Sequence, residues 1–522
     1  MDASPGADSG ARCAVEAKEE SGVRAVETGL VRGVLEGTVW SYKNIPFAAA
    51  PLGELRWKEP EPAACWEGVR EANAFGSVCP QLDAKTKAFK GEEDCLSLNI
   101  WTAYDPLSDS AAMPVLFFIH GGGNIQGSSS EELPGGAPIY NGRALANAGK
   151  AVVVSINYRL GPLGFLALPE LSAESAQKVS GNYGIFDQIA ALEWVQRNIV
   201  AFGGDPKRVM VFGESAGALD TLTLLASPLA KGLFHAAISE SGGLPATTLS
   251  AAESALSARV DSTSCANAAD RLLCLRSKTA AELLAELPGS IGIGGVAVGN
   301  DPSRYGPVVD GKLLSKSWVE TVKAGEHNRV PFIIGTNADE LAQMMSVKVM
   351  SEAEYQMVVQ QSFGVSAPSV LAAYPVADYP TPQDALVALY SDMRFTCPAR
   401  EIARALAAAQ QEPVRRYFFT RRAKTLIGEN PAAHAVELLY VWNTLKDIIG
   451  YNPAAEDLAL SDTMMEYWQR FGATGDPNGG TLLNWPLYDG AKDSFLELDA
   501  PVSAGEGVRT AQCDFWKSLL GQ

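Results

Sequence analysis

The sequence is short of positive charge, of histidine and of cysteine, and it contains no long apolar run. Against 60 acidic residues stand 42 basic ones, a net charge of −18 over 522 residues, and no cluster of lysine and arginine offsets it locally. Such a field repels phosphate backbones and anionic lipid, so neither nucleic acid nor a membrane is expected as a partner. Nowhere does the chain reach the run of about 18 apolar residues that spans a bilayer as a helix. Its first residues, Met1-Asp2-Ala3-Ser4-Pro5-Gly6, lack the charged-then-apolar order of a signal peptide. Eight cysteines are too few for a disulfide scaffold at this length, and the simplest reading of each is a small buried apolar residue. No repeat of fixed period and no Pro- or Ser-rich linker divides the chain, which favours one domain with excursions over two.

What is present is apolar material for a core: 47% hydrophobic against 20% charged residues, the balance of a globular protein. Residues 1–24 are small, polar and acidic without apolar periodicity, and read as a mobile tail ahead of a single domain over 25–522 that starts near Gly29. Short apolar runs follow at Val115–Ile119, Ala151–Ile156, Val209–Phe212 and Pro331–Ile334, as expected of strands buried on both faces. Between the second and third, Ile185, Ile189, Leu192, Val195 and Ile199 recur at helical spacing before Gly203-Gly204-Asp205-Pro206 closes the segment. Repetition of this strand–helix–strand unit predicts an α/β fold. Its open, mostly parallel sheet is covered by helices on both faces, and ligands bind beyond the carboxyl ends of the strands. Residues 251–290 and 345–430 are helix-rich and less regular, and are expected to be insertions around the sheet.

The run Gly213-Glu214-Ser215-Ala216-Gly217 joins the apolar strand Arg208–Phe212 to a helical segment beginning at Ser215. Glycines on either side let strand and helix approach, which leaves the Ser215 hydroxyl projecting above the sheet at a helix N-terminus, where the dipole favours developing negative charge. G-x-S-x-G alone is also what an ordinary glycine-rich loop looks like; the strand before it and the helix after it point to a nucleophile. Such a serine needs donors for the oxyanion formed on attack at a carbonyl. The loop His120-Gly121-Gly122-Gly123, directly after the strand Val115–Ile119, supplies the amides of Gly122 and Gly123, which can converge with that of Ala216.

Four histidines are available as the base: His120, His235, His327 and His434. Along an α/β-hydrolase chain the nucleophile precedes the acid and the acid precedes the histidine, which removes His120. His235, between Gly232-Leu233-Phe234 and Ala236-Ala237-Ile238, reads as a core or edge residue, and His327, in Ala324-Gly325-Glu326-His327-Asn328-Arg329, as solvent-exposed. Order therefore selects His434. The acid is Asp339 or Glu340, which follow the buried run 331–334 at a strand's carboxyl end; spacing does not choose between them.

Together these residues resemble the type-B carboxylesterase and cholinesterase family. The likeness runs from Gly29 to Trp516 through Asn44-Ile45-Pro46-Phe47-Ala48, Gly53-Glu54-Leu55-Arg56-Trp57, Glu93-Asp94-Cys95-Leu96-Ser97-Leu98-Asn99-Ile100 and Asn157-Tyr158-Arg159. It continues through Gly181-Asn182-Tyr183-Gly184, the glycine loop, the serine turn and Thr474-Gly475-Asp476-Pro477-Asn478. The resemblance implies an α/β-hydrolase fold with helical insertions around an active-site gorge. It also implies a Ser215–His434–Glu340 triad with Asp339 as a structural neighbour, and hydrolysis of small to medium apolar carboxylic esters through an acyl-enzyme without metal or organic cofactor. It pairs Cys79 with Cys95, Cys265 with Cys274, and Cys397 with Cys513, and makes Arg56–Glu93 and Arg159–Asp187 structural ion pairs. Cys13 and Cys65 have no family partner; they are free or joined to each other.

Three bridges would place the protein in an oxidising compartment, periplasmic or extracellular. The loop Pro80–Asp94 has Phe89 as its one aromatic where cholinesterases carry a tryptophan, so choline esters are not expected as substrates. Asn124 stands where many relatives carry an aromatic, and Leu341 where a glycine commonly follows the acid. A non-catalytic binding or adhesion protein, and a hydrolase of amides, lactones or carbonates, are the competing readings. The intact set of Ser215, Glu340 and His434 argues for catalysis, whereas oligomeric state leaves no mark in the sequence.

Overall fold

A computed structural model of the chain describes residue 13 and residues 20–104, 112–147, 150–243, 246–290, 301–343, 345, 348–425 and 428–520. Its centre is an 11-stranded sheet. In chain order the strands are β1 (Val34–Glu36), β2 (Val39–Pro46), β3 (Ser97–Thr102), β4 (Met113–Ile119), β5 (Val152–Ile156), β6 (Gly204–Glu214), β7 (Ala236–Glu240), β8 (Phe332–Asn337), β9 (Val414–Phe419), β10 (Ser494–Leu498) and β11 (Ser503–Glu506). Across the sheet they run β11-β10-β9-β8-β7-β6-β4-β5-β3-β2-β1. From β10 to β5 every neighbouring pair is parallel, and the two edges turn antiparallel.

The apolar runs become strands because both of their faces are covered. Along β4 and β6 alternate residues enter opposite cores: Val115, Phe117, Ile119, Val209 and Val211 pack on one side, Leu116, Phe118, Met210 and Phe212 on the other. The first side is closed by α1 (Tyr183–Asn198), α2 (Ala216–Ala226) and α3 (Cys397–Ala409), the second largely by α4 (Ala455–Thr474). A third core, under Leu341, Tyr355, Tyr374 and Trp516, lies between the insertion helices and α5 (Thr510–Leu520). Among the described residues no helix is long and apolar enough to cross a membrane.

Two expectations about segments need correction. Residues 1–12 and 14–19 of the expected tail lie outside the described residues, yet Cys13 is bonded to Cys65 and Val23–Val26 pairs with Gly29–Arg32, so the ordered chain begins ahead of Gly29. The segment 345–430 is not wholly an excursion, because β9 lies within it and pairs with both β8 and β10. Its residues Val414-Arg415-Arg416-Tyr417-Phe418-Phe419 hid the strand behind two buried arginines, which are held by Asp476 and Asp493. The segment 251–290 does form a helical insertion, with helices Leu249–Val260, Arg271–Ser277 and Ala280–Glu286.

The cysteine pairs implied by the resemblance are bridged: Cys79–Cys95, Cys265–Cys274 and Cys397–Cys513. Arg56 forks onto Glu93, with Nε 2.8 Å from Oε2. Arg159 meets the fully buried Asp187 through Nε (2.8 Å), Nη2 (2.7 Å) and its own amide (3.0 Å). Removing one partner of a buried pair strands the other charge. Arg159→Leu should therefore destabilise the protein by about 3–5 kcal/mol in denaturant unfolding. Arg208→Leu, which breaks the part-exposed pair with Asp205, should cost about 0–1 kcal/mol. Equal losses for the two would contradict the assignment of Arg159 and Asp187 as a buried tether.

Candidate active site

The sheet register brings the two glycine-rich turns together. Gly213 of β6 pairs with Ile119 of β4, so the loop after each strand emerges at the same carboxyl edge, where the strand order doubles back between β6, β4 and β5. A Cβ on Gly217 would meet the Ile119 carbonyl at 2.1 Å, and one on Gly213 would meet the Gly217 carbonyl at 2.4 Å; no side chain fits at either position. Between them Ser215 adopts φ 58°, ψ −116°, a strained conformation for a residue with a Cβ, held by its amide donating to the Glu240 carbonyl at 2.9 Å. Ser215 is the N-cap residue of α2 and faces a cavity.

The glycine loop lies directly against this turn, since a Cβ on Gly121 would come within 2.7 Å of Glu214 Oε2 and 3.0 Å of Ser215 Cβ. Gly122, Gly123 and Asn124 take φ values of 104°, 65° and 59°. Among the described residues none accepts a hydrogen bond from the amides of Gly122, Gly123 or Ala216. Gly123 and Ala216 line the same cavity as Ser215.

Glu340 and His434 meet beside it. His434 Nδ1 lies 2.6 Å from Glu340 Oε2, while Glu340 Oε1 accepts from the Ser241 hydroxyl (2.6 Å) and the Asn337 amide (2.8 Å). The backbone adds a further tie, His434 N donating to Glu340 O at 3.1 Å. Asp339, the alternative left open by spacing, points elsewhere: it binds Arg422 at 2.7 Å and accepts from the Ala432 amide at 3.1 Å. Among the described residues the other imidazole nitrogen, Nε2, has no hydrogen-bond partner, and Glu214 Oε1 stands 3.1 Å from it. Ser215 and His434 thus share one corner without a direct hydrogen bond.

The remaining histidines lie away from this cluster; the expectation for His327 is reversed, and of the two readings of His235 the core one falls. His235 is exposed, because its amide ties to Val209 while the ring points outward; His327 is buried, with Nε2 2.9 Å from Gln410 Oε1. Polar neighbours in the sequence concealed a contact with a glutamine far along the chain. His120 is buried against Tyr158, and burial depresses its pKa to about 4.

Sequence reasoning passed over Glu214, although it stands inside the serine turn. Burial pushes its pKa up, with His434 opposing and Glu340 adding to the rise. Burial likewise raises Glu240, which accepts from Trp468 Nε1 at 2.8 Å, and Glu437, which is bonded to Asn337. At His434 burial works against the proton, but Glu214, Glu340 and Glu437 outweigh it and the pKa rises. The cavity in front of Ser215 also holds residues that no motif marked: Ser241, Tyr305, Phe395, Arg304 and Arg394. Asn124 lines it too, held by Asp220 and Tyr158, whereas Leu341 is buried in the third core and does not line it. Phe89 is exposed on the short strand Phe89–Lys90.

A serine forced to positive φ between a buried parallel strand and a helix N-terminus is the nucleophile turn of the α/β-hydrolases, and the protein is a serine hydrolase of that fold. It belongs to the carboxylesterase family, whose sequence profile matches residues 20–516. The fumonisin B1 esterase of Sphingopyxis macrogoltabida is 37% identical over 503 residues, covering 93% of this chain and 88% of that protein. The para-nitrobenzyl esterase of Bacillus subtilis is 35% identical over 502 residues, covering 91% and 94%. The solved structure of a thermophilic PNB esterase superposes at a TM-score of 0.79 with 31% sequence identity, covering 95% of this chain and 99% of that one.

Burial holds protons on Glu214, Asp220 and Glu240 up to about 7, 7 and 8. Unfolded carboxylates release theirs near pH 4, roughly. Between those limits the folded chain binds more protons than the unfolded one, so stability is lost as pH rises from about 4 to about 8. Thermal unfolding at constant ionic strength should give a lower Tm at pH 8 than at pH 5.5; a Tm that rises across this window would contradict the buried-carboxylate assignment.

Proposed function

We propose that the protein hydrolyses carboxylic esters of small to medium size through an acyl-enzyme on Ser215. The observation that carries this reading is the convergence of a strained, cavity-facing serine, a histidine held by a fully bonded carboxylate, and three unengaged amides at one sheet edge. Ser215 Oγ attacks the ester carbonyl while its proton passes to His434 Nε2, and Glu340 fixes the imidazole with Nδ1–H towards itself and stabilises the imidazolium. The tetrahedral oxyanion accepts from the amides of Gly122, Gly123 and Ala216. Collapse expels the alcohol, protonated by His434; water, deprotonated by the same nitrogen, then releases the acid and restores Ser215. The Nε2–Oγ hydrogen bond closes with substrate in place, as catalytic hydrogen bonds commonly do.

Leu219, Tyr305 and Phe395 give the cavity apolar walls that suit an ester of modest size. Four bridges support an oxidising compartment as the place of work. Phe89 on the surface offers no enclosed aromatic wall for a quaternary ammonium, so choline esters remain unexpected substrates.

Ser215→Ala should lower kcat for a 4-nitrophenyl ester on the order of a million-fold, with the fold unchanged by circular dichroism; an active variant would overturn the assignment. His434 acts as the base only when deprotonated, and Glu214 is among the carboxylates that raise its pKa. Taking that carboxylate from beside Nε2 favours the neutral imidazole. Glu214→Gln should accordingly move the acid limb of the kcat/KM–pH profile to lower pH, by about 1 to 3 units. A limb that stays in place or moves upward would contradict the role given to Glu214.

A further inference from the structure

We propose that the cavity in front of Ser215 takes an ester that itself carries a free carboxylate, such as a half-ester of a dicarboxylic acid, with Arg304 and Arg394 receiving that carboxylate. This deepens the ester-hydrolase reading and rests on it.

Two guanidinium side chains line the same cavity as Ser215, and among the described residues no carboxylate side chain lines it with them. Each comes from an element fixed by its own contacts. Arg304 precedes Tyr305, whose ring is buried and whose hydroxyl donates to the Leu287 carbonyl at 3.0 Å. Arg394 sits in the π-helical turn Asp392–Thr396, an irregularity of the kind that gathers at functional sites, directly before the bridged Cys397. The two are far apart in sequence, and only the fold brings their charges together.

Most of the other buried arginines are neutralised by acids, Arg159 by Asp187, Arg416 by Asp493 and Arg421 by Asp457, while Arg24 donates to the Val23 and Tyr104 carbonyls. Arg304 departs from that habit, for among the described residues no carboxylate lies within ion-pair distance of its guanidinium. Burial and the facing Arg394 both work against its charge, and Asp301 favours it less strongly than either. Like charges gathered in a half-buried pocket are unfavourable on their own and become favourable once an anion lies between them. A carboxylate answers this geometry, because guanidinium groups hold it through paired, charge-assisted hydrogen bonds. An uncharged ester would use the apolar walls and leave the charge of Arg304 unanswered. The same cations repel a quaternary ammonium, a second reason against choline esters. They also supply the local positive field that an anion needs to approach a chain of net charge −18.

Steady-state kinetics on the purified full chain with two matched pairs of esters test this. One pair, mono-4-nitrophenyl adipate and its methyl ester, places the carboxylate on the acyl side; the other, 3-acetoxybenzoate and its methyl ester, places it on the alcohol side. The expected result is a kcat/KM at least about tenfold higher for the anionic member of one pair, the discrimination that one charge-assisted contact supplies. Arg304→Gln and Arg394→Gln should each raise KM for that anion about 10- to 100-fold and change the neutral member less than about threefold, with Arg304→Lys retaining part of the preference. Preference for the neutral member in both pairs, or an equal loss on both members in the variants, would overturn the proposal; should a Gln variant not fold, the wild-type ratios and Arg304→Lys decide. Failure of the underlying reading looks different: no ester of either pair is hydrolysed, or Ser215→Ala stays active.

Discussion

The site depends on one backbone contact, the approach of Gly217 to the carbonyl of Ile119 across neighbouring parallel strands. With any side chain at Gly217 or Gly213, strand and helix would have to separate, and Ser215 would lose the turn that holds it at φ 58°. The same closeness lays Gly121 on Glu214 and Ser215, so the loop that presents the Gly122 and Gly123 amides is placed by the contact that places the serine. Nucleophile and oxyanion donors are therefore parts of one packed unit. The strain is offset by a sheet buried on both faces, which cannot relax without opening two cores.

Around that unit the protein concentrates negative charge where little water reaches. Glu214, Glu240, Glu340 and Glu437 are all buried, and Glu214, Glu340 and Glu437 act together on the single imidazole of His434. Glu340 has its two oxygens occupied by three partners, whereas among the described residues Glu214 carries an oxygen with no hydrogen-bond partner. The cavity that Ser215 faces is lined, in contrast, by two arginines, Arg304 and Arg394.

How much of this the sequence disclosed follows from the range of each interaction. Strands β4, β5, β6 and β8 announced themselves as apolar runs, and the serine turn as a motif, because both are local patterns. Glu340 could not be separated from Asp339 by spacing, since the difference lies in partners distant along the chain: His434 and Ser241 for one, Arg422 for the other. His327 was misjudged for the same reason, its sequence neighbours saying nothing about Gln410. Strand β9 was masked by Arg415 and Arg416, charges that read as surface until Asp476 and Asp493 are found beside them. The pairing of Arg304 with Arg394 in one cavity left no sequence signal at all.

The account turns on Ser215 becoming covalently acylated, and direct labelling tests that claim. Treating the native enzyme with a fluorophosphonate and mapping the adduct by peptide mass spectrometry should give one modification per chain, on the peptide carrying Gly213-Glu214-Ser215-Ala216-Gly217, with the phosphonyl group on Ser215. Labelling on another residue, or undiminished labelling of the Ser215→Ala protein, would contradict it.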